Sequence, residues 1–167
     1  MKYLILMLVL ISAITPLTAE MSGSGGAGIK FTTINGESQQ LMGGKGGAIF
    51  KHDKWSWGLG GAQYSSTGDV ENALNYGGFT ISYNRVITPK ISLNAGILLG
   101  GGSITLNTGS QDDVRIIEPE IGIQFKATDY MNIILSVNQR MVSGADSMAD
   151  LDFNGSAIGI SLLFGDD

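Results

Sequence analysis

Five charged residues stand in segments whose other residues alternate between apolar and small polar types. They are Lys30, Lys45, Glu118, Glu120 and Arg140. If these segments are strands, their alternation places the charges on the face opposite to the isoleucines and leucines. Carboxylates beside basic groups can form a catalytic pair, a path for protons or ions, or a polar plug in which each charge is paired. We favour the plug, because an unpaired buried charge is costly.

Two of the predicted strands, those carrying Glu118-Pro119-Glu120 and Arg140, are neighbours in the sequence. If the strands are antiparallel, Glu118 or Glu120 is expected to meet Arg140. The same inward face is expected to carry the amides of Gln124, Asn132 and Asn138. Proline removes a hydrogen bond from a sheet ladder, so Pro119 predicts a β-bulge at this point.

Other catalytic or metal-binding groups are sparse. The single histidine, His52, falls in a predicted tight turn, at the wrong end of the strands for a Ser–His hydrolase with an outer active site. There is no cysteine and no His/Cys cluster of the kind that binds zinc. Asp146, Asp150 and Asp152 could bind a divalent cation between lipopolysaccharide phosphates, but the spacing is not that of a calcium loop, and a solvated acidic loop is favoured. The sequence therefore predicts no enzyme, no cofactor and no metal site.

The elements that position these residues are read from period-two alternation. The clearest case is 75–106, in which two alternating arms flank a tight turn at Thr88-Pro89-Lys90. The predicted strands are 25–34, 39–51, 55–64, the two arms of 75–106, 114–126, 131–142 and 155–165. Asn35-Gly36-Glu37-Ser38 is interpreted as a turn of intermediate length.

Short and long connections alternate along the chain. This alternation of connection lengths predicts an all-β fold, an eight-stranded antiparallel up-and-down transmembrane β-barrel whose apolar face contacts lipid. The long connections are acidic, whereas the tight turns are mostly basic. Acidic residues of the long connections and the first turn are Glu37, Asp69, Glu71, Asp112, Asp113, Asp146, Asp150 and Asp152.

Four aromatic residues lie near the tight-turn end of the predicted strands. They are Trp55, Trp57, Tyr83 and Tyr130. Tryptophan and tyrosine favour the membrane–water interface, so these residues are interpreted as an aromatic girdle, the alternative being ordinary core aromatics.

Residues 1–19 are interpreted as a signal peptide, because Lys2 precedes an apolar run that ends near Ala19. Residues 20–167 would then be the barrel domain. The absence of cysteine excludes a disulfide-stapled module. A formal net charge of −5 without a basic patch argues against nucleic acid as a partner.

The chain resembles small outer-membrane proteins, mostly uncharacterised, of a Bacteroidetes-like type. They are related in architecture to the eight-stranded OmpA and OmpX barrels. The resemblance rests on the order of LMGGKGGAIFKHDKWSWGLGGAQY, YGGFTISYNRV, KISLNAGILLGGGSI, EPEIGIQFKATDYMNIILSVNQRMVSG and GSAIGISLLFG. It implies a barrel in the outer membrane and no enzymatic activity. Such barrels usually end on an aromatic residue that the insertion machinery recognises. Here the candidate is Phe164, which three residues follow.

Three functions are compatible with these patterns. The first is a monomeric, plugged outer-membrane barrel with a structural or surface-interaction role, in contact with outer-membrane lipid and lipopolysaccharide. The second is transport of a small apolar solute through a lateral opening, which would require a more apolar lumen than Lys45, Glu118 and Arg140 allow. The third is a soluble secreted or periplasmic ligand-binding barrel with its apolar face inside.

Overall fold

The computed structural model describes residues 20–68, 72–106, 108–144 and 152–165. These residues form eight antiparallel strands, each paired with the next, and the last pairs with the first to close a barrel. The strands are β1 (Glu20–Ile34), β2 (Glu37–His52), β3 (Trp55–Ser66), β4 (Asn72–Thr88), β5 (Ile91–Leu106), β6 (Gln111–Lys126), β7 (Met131–Ser143) and β8 (Gly155–Gly165). The predicted up-and-down barrel is confirmed, whereas the predicted signal peptide, 1–19, lies outside the described residues. Within the described ranges, no helix is long and apolar enough to cross a membrane.

Several strands extend beyond their predicted ends, mainly at the end with the long connections. The pairs Ser65↔Asn75 and Ser103↔Asp113 continue the sheet there. Main-chain hydrogen bonds do not depend on side-chain polarity, so pairing persists where the apolar alternation has stopped. The alternation therefore identified the apolar belt of each strand rather than its full length.

The first connection is shorter than predicted. β1 and β2 are joined by Asn35 and Gly36 alone, with φ angles of 48° and 82°. A two-residue hairpin loop with positive φ at both positions is the type I′ turn, for which Asn-Gly is the preferred sequence. Glu37 and Ser38, predicted as part of this turn, instead begin β2.

The bulge predicted at Pro119 is wrong. β5 and β6 pair Leu98↔Glu118 and Ile97↔Pro119 without a change of register. Toward β7 the ladder stops at Ile117 and resumes at Glu120 in the same register, so hydrogen bonding is interrupted without an extra residue. A register shift occurs instead in β4, between Val86 and Thr88.

The two faces of the barrel wall differ sharply in polarity. Ile121, Val137 and Ile158 point outward and are 71%, 62% and 62% exposed. Lys30, Glu118 and Arg140 point inward and are almost fully buried. The barrel is therefore apolar outside and charged inside, as predicted, and the register of the strands fixes which side chains share the lumen.

Candidate functional site

The lumen is closed at the long-connection end by a layer of buried apolar side chains, here called the apolar cap. It consists of Ile34, Leu41, Tyr64, Leu74, Tyr76, Leu98, Ile104, Val114, Ile116 and Phe153. Most members come from the last inward positions of the strands, whereas Phe153 comes from the connection between β7 and β8. The sequence interpretation of a purely polar plug missed this layer. Leu98 is an apolar residue on the otherwise small and polar inner face of β5, and it belongs there because its side chain packs in the cap.

Beneath the cap lies a buried ion pair between Lys30 of β1 and Glu118 of β6. The Lys30 Nζ atom contacts Glu118 Oε1, and the hydroxyl of Tyr76 donates to Glu118 Oε2 over 2.6 Å. The Lys30 Nζ atom also lies 3.6 Å from the centre of the Tyr64 ring, within the range of a cation–π interaction. The lysine and the carboxylate therefore satisfy each other across the lumen, with two tyrosines completing the cluster.

A second ion pair lies next to the first, closer to the tight-turn end. Lys45 Nζ donates to Glu120 Oε1 over 2.8 Å, and Asn138 Nδ2 donates to Glu120 Oε2 over 2.8 Å. Asn138 also lies 3.4 Å from Glu118 Oε1, so its amide links the two pairs. These side chains are more accessible than those of the first pair, at 18% for Lys45 and 13% for Glu120.

Arg140 does not join this network, so its predicted contact with Glu118 or Glu120 is wrong. Its Nε atom donates to the carbonyl of Phe153 over 2.9 Å, and its Nη2 atom lies 3.4 Å from the carbonyl of Thr33. Lysines on β1 and β2 reach both carboxylates from across the barrel, and Arg140 turns toward the long-connection end. It therefore holds the chain around Phe153 against the apolar cap.

On the other side of the ion pairs, toward the tight turns, the lumen contains a cavity of about 100 Å³. Its lining includes Glu120, Gln124, Asn94 and Asn132. Asn94 donates to Asn84 over 2.7 Å, while its own Oδ1 atom, buried in the lumen, has no hydrogen-bond partner. The amides predicted to point inward, Gln124, Asn132 and Asn138, therefore face the lumen, and the buried Oδ1 atom of Asn94 offers a hydrogen-bond acceptor to a water molecule in the cavity.

Sequence reasoning missed Tyr64 and Tyr76. Both rings are 2% exposed, and their centroids lie 5.7 Å apart. Tyr76 was placed near a strand end, and Tyr64 at the last position of its predicted strand. Both tyrosines stand at even-numbered positions, which form the inward face of β3 and β4, so the alternation followed to the ends of these strands places both rings in the lumen.

The four predicted girdle aromatics all lie at the tight-turn end. Trp55 and Trp57 face outward on β3, and the rings of Trp57 and Tyr83 are 5.0 Å apart. Tyr130 lies in the connection between β6 and β7 and is 62% exposed. Their position suits an interfacial girdle, a role that stays a prediction.

The histidine and the acidic residues considered for catalysis or metal binding do not form a site among the described residues. His52 packs against Trp55 on the outer wall, with ring centroids 5.0 Å apart. In the part of the chain that the structure describes, no group of three His, Cys, Asp or Glu residues could hold a metal ion. Asp152 accepts hydrogen bonds from Asn154, whereas Asp146 and Asp150 lie outside the described residues.

Solved structures of small outer-membrane proteins share this fold at low sequence identity. Ail, the attachment invasion locus protein of Yersinia pestis, is 15% identical with a TM-score of 0.58, and the match covers 87% of this chain and 99% of that chain. Neisserial surface protein A is 12% identical with a TM-score of 0.57, covering 89% and 97%. The N-terminal barrel domain of Pseudomonas aeruginosa OprF is 17% identical with a TM-score of 0.53, covering 85% and 96%.

Ail has also been solved in complex with sucrose octasulfate, a heparin analogue. No family model and no curated protein sequence matches the chain. The chain therefore has the fold of small outer-membrane β-barrels. Its narrower resemblance to a Bacteroidetes-type group stays a prediction.

Proposed function

We propose that this chain is a monomeric outer-membrane barrel with a closed lumen and a structural or surface-interaction role. The observation that carries the proposal is the polarity of the wall. Large apolar side chains cover the outside, and two ion pairs lie inside. A soluble ligand-binding barrel would need the opposite arrangement, because exposing this much apolar surface to water is unfavourable. Lipid is the environment in which this wall is stable.

Cell fractionation tests the membrane location. The full chain, expressed in a Gram-negative host, is expected in the outer-membrane fraction. Its band is expected to migrate differently on a gel when the sample is boiled, because a closed barrel resists unfolding by detergent at room temperature. A protein that stays soluble without detergent would contradict the proposal.

The closed lumen should prevent passage of small solutes. The apolar cap fills one end and the Lys30–Glu118 pair fills the middle, in keeping with an eight-stranded barrel whose interior is just wide enough for side chains. Proteoliposomes containing this protein are therefore expected to swell no faster in an isotonic sugar solution than protein-free liposomes. A general porin at the same protein-to-lipid ratio provides the positive control. Swelling at a porin-like rate would contradict the closed lumen.

Transport of an apolar solute through a lateral opening is less favoured. Adjacent described strands are hydrogen-bonded around the barrel, with an interruption beside Pro119. Glu118 and Arg140 lie on the inner face behind that interruption. An apolar solute that entered there would contact charged side chains, which is unfavourable. We also propose a non-catalytic role, because a lysine holds each lumen carboxylate and His52 lies on the outer wall.

The surface available to partners would be the long-connection end. Asp112 and Asp113 at the start of β6 and Asp152 before β8 are acidic residues there, and the sequence of the long connections contains further acids outside the described residues. Negative charge disfavours a polysulfated ligand such as the sucrose octasulfate in the Ail complex, and favours contacts with lipopolysaccharide through divalent cations or with basic partners. At the opposite end, Phe164 of β8 faces outward and is 48% exposed, the orientation that recognition by the insertion machinery would require.

A further inference from the structure

One sector of the outer wall combines aromatic and basic side chains at the tight-turn end. Trp55 and Arg85 are cross-strand partners on β3 and β4, and Trp57 and Tyr83 are the next outward pair. The turn before Trp55 contributes Lys54, whose carbonyl accepts a hydrogen bond from the Val86 N–H over 2.8 Å. We call Lys54, Trp55, Trp57, Tyr83 and Arg85 the aromatic–basic patch.

The cations of the patch are available to a ligand. Lys54 and Arg85 are exposed, as is Lys90 in the neighbouring tight turn. None of these three cations takes part in an ion pair with another described residue, in contrast to Lys30, Lys45 and Lys126. Asp53 precedes Lys54 in its turn, and three cations beside one carboxylate leave the sector with a net positive charge.

The opposite sector of the barrel lacks this combination. At the same end, β7 and β8 present Met131 and Phe164, and Tyr130 lies in the adjacent connection. The nearby cation, Lys126, is paired with Asp129 over 3.4 Å. Positive charge at the tight-turn end is therefore concentrated beside the tryptophans rather than distributed evenly around the rim.

We propose that the aromatic–basic patch binds the phosphate headgroup of an anionic phospholipid in the leaflet at the tight-turn end. The inference rests on the proposed membrane location. Tryptophan and tyrosine rings lie at headgroup level, and an exposed arginine above them can hold a phosphate with two parallel hydrogen bonds. Lys54 and Lys90 add attraction to a negatively charged headgroup. The apolar rings of Trp57 and Tyr83 then pack against the upper acyl chains.

Tryptophan fluorescence can test this site directly, because both tryptophans of the chain belong to the patch. The full barrel is placed in phosphatidylcholine vesicles that contain the same small fraction of a brominated lipid, either phosphatidylglycerol or phosphatidylcholine. Bromine close to the headgroup quenches tryptophan on contact. Wild-type protein is expected to be quenched more strongly by brominated phosphatidylglycerol than by brominated phosphatidylcholine. The preference of the site for phosphatidylglycerol over phosphatidylcholine is obtained from the ratio of the two quenching values. Arg85→Gln is expected to lower this preference about fivefold, the effect of one basic residue near an anionic surface.

The matched control is Arg115→Gln, since Arg115 is an exposed residue toward the other end of the barrel. This variant should keep the wild-type preference. Equal quenching of wild-type protein by the two brominated lipids would overturn the phospholipid site, even if an acidic protein bound there. So would an unchanged preference in Arg85→Gln. Absence of quenching by either lipid would instead contradict the membrane location, so the two failures are distinguishable.

Discussion

Replacing Glu118 by alanine is expected to destabilise the folded barrel by about 3–5 kcal/mol, the usual cost of removing one partner of a buried ion pair. Lys30 would lose its ion-pair partner in a lumen where its side chain is 4% exposed. The hydroxyl of Tyr76 would lose its acceptor as well. Urea unfolding in lipid vesicles, followed by the boiled-versus-unboiled gel shift, measures the loss as a lower midpoint.

Two comparisons identify the cause of this loss. The triple variant Lys30→Met, Glu118→Leu and Tyr76→Phe removes the charges and the hydroxyl together, and it should recover most of the stability, because an apolar replacement of a buried pair is often neutral. Glu120→Ala should cost less than Glu118→Ala, since the Lys45–Glu120 pair is more accessible to water. If Glu118→Ala unfolds at the wild-type midpoint, the first pair does not have the structural role assigned to it.

The second large effect is expected from a single methyl group at Gly60. This residue faces the lumen on β3, and a Cβ atom there would overlap the carbonyl oxygen of Gly46 on β2. Backbone atoms of a paired strand cannot move aside without breaking the ladder, so Gly60→Ala should cost about 3 kcal/mol, the upper end of the usual range for overpacking. The same urea titration measures it.

Gly61 is the matched control, because it is the next residue and faces outward. A Cβ atom on Gly61 would lie 3.5 Å from the Gly78 carbonyl oxygen, an ordinary contact. Gly61→Ala should therefore change stability by no more than about 0.5 kcal/mol. Equal midpoints for the two variants would show that the lumen-facing glycines are not required for the tight curvature of the wall.

The sequence predicted the wall of the barrel better than its contents. Period-two alternation is a property of a single strand, and it placed Lys30, Lys45 and Glu118 on the inner face before any partner strand was known. The sequence predicted the position of the first turn but not its length. A turn over residues 35–38 is expected from the sequence, whereas Asn35 and Gly36 alone form it. The prediction of a bulge at Pro119 is wrong because a proline can interrupt the hydrogen bonds to one neighbouring strand without adding a residue.

The contents of the lumen depend on residues far apart in the chain. Lys30 and Glu118 are 88 residues apart, and Lys45 and Glu120 are 75 residues apart. The contact predicted between two neighbouring strands, from Arg140 to a glutamate, does not form. Each glutamate instead pairs with a lysine on a strand across the barrel. Tyr64, Tyr76 and Phe153 join the apolar cap for the same reason, since each fills space that exists only after β1 pairs with β8.

The amino-acid sequence by itself determined the number of strands, the face that most strand side chains occupy and the apolar exterior. These features follow from local alternation and turn residues. Only the tertiary structure decided which lysine meets which glutamate, which direction Arg140 takes and what closes the lumen. Closure of the sheet sets the distance across the barrel, and that distance selects partners that no local pattern specifies.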